Sequence, residues 1–243
     1  MKHLLLTLLG TALAGIVCAQ EPTDKAPIVL KTYAEYGYNN TWEHFGHIAV
    51  GGYFPINTYF DLQAGIDLCT ANSYAIDGRA TVRFPLRVGQ LALENRLLYR
   101  AIVCSRTHEA CAALSLGYRM DYFAISIGAF SRFYSVMPTE HHIQTADYIV
   151  EPFNLLWNIE GHVRRESDFW NLGLRISNFD DFQIERFNEP IFTLIGRYNP
   201  TDKIRLFAEV YCKPSGMLHG AANFYNAGAR IGLNYIFKTN RGI

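Results

Sequence analysis

The chain has 243 residues and no net charge, because 22 Lys and Arg residues balance 22 Asp and Glu residues. This balance excludes a strongly basic nucleic-acid-binding surface, so we expect no nucleic-acid partner. Charged residues make up only 18% of the chain, whereas aromatic residues make up 14%. A disordered chain would show few aromatic residues and an excess of one charge. The composition favours a β-rich protein with one apolar face.

The N-terminus has the three parts of a secretory signal peptide. Residues 1–3 include a Lys and a His, residues 4–17 form an apolar run, and residues 17–19 match the small-residue pattern of a cleavage site. We therefore predict a signal peptide over residues 1–19 and a periplasmic segment over residues 20–27. A lipid anchor on Cys18 is the alternative, although the residues before it lack the expected Leu. No later apolar run reaches the about 18 residues that a membrane-spanning helix needs.

From residue 28 to residue 237, apolar side chains recur at every second position, which is the period of a half-buried strand. Leu62 and Ile66, for example, alternate with Asp61, Gln63 and Asp67. Gly, Pro, Asn and Asp separate the segments, as expected of turns. The pattern predicts about twelve strands. They lie near residues 28–38, 44–54, 58–68, 74–84, 90–103, 111–120, 122–134, 148–163, 169–178, 189–198, 203–212 and 224–237.

The connections between these strands alternate in length. They are short after the even-numbered strands and mostly longer after the odd-numbered ones, notably at residues 137–147, 179–188 and 213–223. Short turns at one end, longer loops at the other and an even strand number are typical of a transmembrane barrel with both termini in the periplasm. We therefore predict an all-β fold, a closed antiparallel up-and-down transmembrane β-barrel, over residues 28–237.

A soluble sandwich or lipocalin-type barrel also alternates, with its apolar face turned inward. Inward apolar side chains from about eight strands just fill a small barrel, whereas about twelve strands would leave a cavity too wide to fill. Turning the apolar face to lipid and the polar face to a wet lumen removes this difficulty. The strand number thus favours the membrane barrel.

The last predicted strand carries a recognisable pattern. It has a polar residue at Arg230, a small one at Gly232, a hydrophobic one at Tyr235 and an aromatic one at Phe237. This pattern resembles the terminal signal of bacterial outer-membrane β-barrel proteins. The resemblance implies the outer membrane of a diderm bacterium, surrounding outer-membrane lipid, recognition by the barrel-assembly machinery and closure onto the first strand. A C-terminal tail, residues 238–243, follows the aromatic and departs from the pattern.

Within that class, size and strand number are similar to two groups. One comprises the narrow twelve-stranded channels for oligosaccharide acids and nucleosides, and the other comprises twelve-stranded phospholipases and lipid A deacylases. Size alone does not choose between them. The resemblance therefore implies a barrel architecture and leaves the family within it open.

The face opposite the apolar one carries more than half of the charges of the chain. The predicted lumen-lining residues are Arg79, Arg83, Arg96, Arg100, Arg119, Arg132, Arg175, Arg205, Arg230, Asp61, Asp67, Asp77, Glu94, Asp121, Glu160 and Glu209. Basic residues outnumber acidic ones, which would favour anions weakly in an open pore. An ion-pair ladder that narrows or closes the barrel is the alternative.

The fifth and sixth predicted strands can be aligned through a loop centred on residues 106–108. This register places Arg96 opposite Arg119 and Cys104 opposite Cys111. Opposed residues of antiparallel strands meet the distance requirement of a disulfide. An exported protein also permits the oxidation, so the register predicts a bond between Cys104 and Cys111.

The outer loops also hold residue types that enzymes use. Candidates for a hydrolase at the rim include Ser105, His108 and His141, but the His-x-Ser spacing of the barrel phospholipases is absent. Glu140, His141 and His142 are neighbours on one loop without a helical His-x3-His spacing. We predict no metal site, no cofactor and no enzyme activity. The favoured function is a narrow porin-like channel for small hydrophilic solutes, with a structural or surface-interaction barrel and a rim lipid hydrolase as alternatives.

Overall fold

The computed structural model describes eight stretches of the chain, residues 27–39, 43–57, 59–69, 73–102, 107–136, 147–179, 190–215 and 224–237. They form twelve antiparallel β-strands in one closed barrel. This confirms the predicted fold class. The predicted signal peptide, most of the N-terminal segment and the C-terminal tail lie outside the described stretches.

Each strand pairs with its neighbours in the chain, and the first strand pairs with the last to close the barrel. The strands are β1 Ile28–Asn39, β2 Glu43–Pro55, β3 Phe60–Cys69, β4 Ser73–Pro85, β5 Gln90–Ile102, β6 Thr107–Arg119, β7 Phe123–Val136, β8 Asp147–His162, β9 Trp170–Ser177, β10 Ile191–Thr201, β11 Ile204–Ser215 and β12 Phe224–Phe237. Among the described residues, no helix is long and apolar enough to cross a membrane.

The connections after the even-numbered strands lie at one end of the barrel, called here the short-turn end. The other end, called the loop end, carries the connections after the odd-numbered strands. The turns at the short-turn end are built by local side chains. Asn57 Oδ1 accepts hydrogen bonds from the backbone N–H groups of Tyr59 and Phe60, each at 2.8 Å. Gly89 has φ of 71° in the turn before β5, a conformation that glycine adopts freely.

Burial alternates along the strands with the period of two that the sequence shows. In β10, Thr193 is fully buried while its neighbour Leu194 is 50% exposed. The buried face points into the barrel, and the exposed face carries a continuous band of large apolar side chains. A protein with its apolar side chains outside and its charges inside is suited to lipid rather than water.

The register of β5 and β6 corrects one prediction. Arg96 pairs with Ala113, six residues from its predicted partner Arg119. Polar residues at the start of β6, which look like a turn in the sequence, extend the strand, so that only residues 103–106 connect it to β5. Because the shift is even, both strands keep their predicted faces.

The same register removes the predicted disulfide. Cys111 is a buried free thiol that pairs with Leu98 across the ladder. Cys104 lies outside the described residues. The predicted bond between Cys104 and Cys111 is therefore wrong, because it depended on the incorrect register.

Candidate functional site

The inner wall formed by β8 to β12 and β1 carries a chain of ion pairs, which we call the ion chain. Arg230 is at its centre, with Nε 2.7 Å from Glu35 Oε2 and Nη1 3.3 Å from Glu209 Oε2. Arg175 continues it, with Nη2 3.4 Å from Glu209 Oε2 and Nη1 4.0 Å from Glu160 Oε2. The Arg230 and Glu35 side chains are 0% and 1% exposed. These charges are compensated by one another rather than by water.

The ion chain reaches the short-turn end through the connection between β8 and β9. Arg197 lies 3.4 Å from Glu160 and 2.9 Å from Glu166, and Arg119 lies 3.9 Å from Glu166. His162 Nε2 is 2.6 Å from Glu160 Oε1. Ligand atoms of Glu160, His162 and Glu166 lie within 4.8 Å of one another. Arg197 donates to both Glu160 and Glu166, so each carboxylate has a guanidinium partner.

The opposite half of the wall carries smaller clusters. Asp77 accepts from Arg79 Nε at 2.9 Å and from Arg96 Nε at 2.8 Å. Nearer the short-turn end, Asp61 forms an ion pair with Arg83, whose Nη1 also donates to Tyr53 OH at 3.1 Å. Each carboxylate here is thus held by at least one guanidinium from a neighbouring or the same strand.

Two further clusters lie toward the loop end. Glu109 accepts from Arg132 Nε at 2.7 Å and lies 3.9 Å from Arg100 Nη1. Asp67 accepts from Tyr33 OH at 2.8 Å and lies 2.9 Å from His47 Nδ1. The sequence prediction had missed Tyr33 and His47 as part of this lining. Their only signal was the inward position that the alternation assigns to them.

Three of the predicted lumen-lining residues have looser surroundings. Glu94 lines an inner cavity, and Arg205 is exposed on the inner face at the start of β11. Asp121 is not on the wall, which corrects the prediction. It lies in the turn after β6, where its Oδ2 is 3.1 Å from Arg165 Nε. A hydrogen bond with Tyr122 and the charge of Asp121 raise the pKa of Arg165.

Open space remains inside the barrel beside these charge clusters. A cavity of about 230 Å³, the middle cavity, lies against a floor of small residues that includes Ala49, Gly51 and Gly65. A second cavity of about 320 Å³, the lower cavity, opens toward the short-turn end. Gln63 and Arg79 line both cavities. The two spaces therefore adjoin. The middle cavity is lined by β12 and by β1 to β5, and the lower cavity is lined by β3 to β10, where Glu160, Arg175 and Arg197 of the ion chain border it.

An apolar cluster stands beside these cavities on β5 to β8. Its buried members are Leu98, Cys111, Ala113, Phe130 and Leu156. Ala75 and Phe179 pack against it. Apolar side chains inside a barrel of this kind interrupt the polar lining and reduce the width available to water.

The residues of the predicted assembly signal lie on the closing strand. Gly232 faces inward between β1 and β11, where an added Cβ would lie 2.5 Å from Thr32 O. Tyr235 and Phe237 face outward near the short-turn end, with ring centroids 4.8 Å apart. Arg230 belongs to the ion chain. The strand thus combines closure of the barrel with an aromatic edge at the membrane interface.

The rim residues considered for hydrolysis are not assembled among the described residues. His108 faces outward and stacks on Tyr99, with its Nδ1 2.7 Å from the Tyr99 hydroxyl. The residue after His108, Glu109, faces inward and binds Arg132. Ser105, His141 and the Glu140-to-His142 cluster lie outside the described residues.

Comparison with solved structures finds the same fold in bacterial outer-membrane proteins. The NanC porin is 12% identical with a TM-score of 0.52, covering 84% of this chain and 98% of NanC. The KdgM porin in complex with disordered oligogalacturonate is 11% identical with a TM-score of 0.51, covering 85% of this chain and 99% of KdgM. Outer membrane phospholipase A from Escherichia coli is 9% identical with a TM-score of 0.46, covering 84% of this chain and 92% of the phospholipase.

No family model and no curated protein match the sequence. At these low identities the structural likeness shows a common fold, and function depends on the site that each barrel carries. The resemblance to bacterial outer-membrane barrels is confirmed at that level. Which solute, partner or reaction the lumen serves must be argued from its own residues.

Proposed function

We propose that the protein is a narrow porin-like channel of the bacterial outer membrane that passes small hydrophilic solutes and weakly prefers anions. The observation that carries the proposal is the pair of adjoining cavities inside the barrel. The ion chain occupies part of the lumen, and its residues Glu160, Arg175 and Arg197 border the lower cavity, so the path is narrow. The small residues Ala49, Gly51 and Gly65 leave the middle cavity open, because larger side chains at these positions would extend into it.

The preference for anions follows from the charges along this path. The two cavities are lined by Lys31, Arg79, Arg83, Arg96, Arg119, Arg175 and Arg197, and by Asp67, Asp77, Glu94 and Glu160. Seven basic residues thus face four acidic ones. Charged rings and walls select ions by the sign of their excess charge. Because the excess is small and most of these groups are paired, the preference is weak.

The proposal includes the setting of the barrel. The apolar outer surface is surrounded by outer-membrane lipid, both termini face the periplasm, and the loop end faces outward. Residues 1–19 direct export, and the barrel-assembly machinery recognises β12. The partners are thus lipid, the assembly machinery and a small solute, with no cofactor and no catalytic role.

A structural or surface-interaction barrel is the second candidate. The ion chain favours it, because Glu35, Glu209, Arg175 and Arg230 are buried and mutually compensated. In this case the lumen is a scaffold and the loops carry the function. The two candidates differ in whether solutes cross the barrel.

Liposome swelling distinguishes them. The refolded protein is incorporated into vesicles, and uptake is compared for neutral, anionic and cationic solutes of equal size. A channel admits the neutral and anionic solutes faster than the cationic one and excludes larger homologues. Vesicles that contain folded barrels, shown by heat-modifiable gel migration, yet swell no faster than empty vesicles would refute the channel.

A further inference from the structure

Phe179 is held inside the barrel by the residues around it. Ser177 Oγ donates a hydrogen bond to the Phe179 carbonyl oxygen. Asn178 accepts from the Trp157 N–H at 2.9 Å and donates through Nδ2 to the Leu155 carbonyl oxygen at 2.6 Å. Its own N–H donates to the Trp157 carbonyl oxygen at 3.2 Å. Both Ser177 and Asn178 are fully buried, so the backbone that presents Phe179 is fixed to β8.

The Phe179 side chain lies between the lower cavity and the apolar cluster. It lines the lower cavity and packs against the apolar cluster. Leu98 belongs to this cluster and Ala75 packs against it, and both residues line the middle cavity. Arg79, which lines both spaces, supplies a polar surface there. Phe179 therefore lines one cavity and packs on the same cluster as two residues that line the other, so its side chain stands next to the connection between them.

We infer that Phe179 is the residue that sets the size limit and the conductance of the path. This inference rests on the proposed channel function. An aromatic ring next to an apolar cluster leaves little room for water, and hydrophobic constrictions control flow by excluding water as well as by width. The anchoring hydrogen bonds fix the ring in place, so its volume decides how wide the passage is. A smaller side chain at this position widens it, and a larger one narrows it.

The test is single-channel recording of Phe179→Ala and Phe179→Trp in planar bilayers beside the wild type. Phe153→Ala is the matched control. Phe153 is 71% exposed on the lipid face, so this substitution removes the same ring volume at a position away from the lumen. Far-ultraviolet circular dichroism and heat-modifiable migration establish that all four proteins are folded. We expect a conductance increase of about twofold or more for Phe179→Ala, a decrease for Phe179→Trp and no change for the control.

The outcomes separate this inference from the proposed function. A conducting wild type whose folded Phe179→Ala and Phe179→Trp variants show unchanged conductance refutes the role of Phe179 and leaves the channel standing. A silent wild type with a conducting Phe179→Ala variant supports the role of Phe179 and refutes an open wild-type channel. Silence of the wild type and of every variant refutes both.

Discussion

Removing Arg230 tests whether the ion chain contributes to the stability of the barrel. The Arg230→Ala change leaves two buried carboxylates, Glu35 and Glu209, without their shared guanidinium. Removing one partner of a buried ion pair costs about 3–5 kcal/mol. Glu35 keeps a hydrogen bond from Tyr211, and Glu209 keeps Arg175. We therefore expect Arg230→Ala to lower the free energy of unfolding by about 3 kcal/mol, near the lower end of this range. This corresponds to roughly a hundredfold change in the unfolding equilibrium.

The assay is urea unfolding of the barrel in lipid vesicles, followed by tryptophan fluorescence and by heat-modifiable migration. Arg205→Ala is the matched control, because Arg205 is an inward but exposed arginine, and its loss should cost no more than about 0.5 kcal/mol. Adding Glu35→Gln to Arg230→Ala should recover part of the loss, since a neutral amide is cheaper to bury than a carboxylate. If Arg230→Ala destabilises the barrel no more than Arg205→Ala does, the ion chain is not a stabilising element.

Three further predictions follow from particular contacts. Gly232→Ala should destabilise the barrel by about 1–3 kcal/mol in the same urea assay, because the added Cβ would lie 2.5 Å from Thr32 O. Gly78→Ala is the control and should be neutral, because a Cβ at this position would meet no atom within 4 Å. Peptide mapping by mass spectrometry should find Cys111 alkylated only after unfolding, and recovery of Cys111 in a disulfide-linked peptide would contradict the β5–β6 register. Arg79→Gln should lower the anion preference measured as a reversal potential, because Arg79 lines both cavities, and an unchanged potential would place the path elsewhere.

The sequence predicts the strands well because alternation is a direct consequence of a wall with a different solvent on each side. Leu62 and Ile66 face outward and Asp61 is buried inside, as the pattern requires. The closing strand is recognised from its own residues. Loops contribute little to this pattern, so the start of β6 and the pairing of Arg96 could not be placed from alternation alone.

The lumen is harder to predict, because contacts across it join strands that are distant in the chain. Inward apolar residues such as Ile195, Leu156 and Phe130 break the expected polar face and give no periodic signal. The partners of Arg230 lie on both neighbouring strands, which alternation places only after the register is known. Phe179 lies two residues beyond Ser177 and so shares its inward parity, but the hydrogen bonds of Asn178 to β8 that hold it beside the apolar cluster are not visible in the sequence.

The most direct test of an open lumen is the current through the reconstituted wild-type barrel in a planar bilayer under a salt gradient. Adjoining cavities with seven basic and four acidic lining residues predict discrete conductance steps and a reversal potential displaced toward that of the anion. Folded, inserted barrels that carry no current, or that select cations, would contradict this account of the lumen.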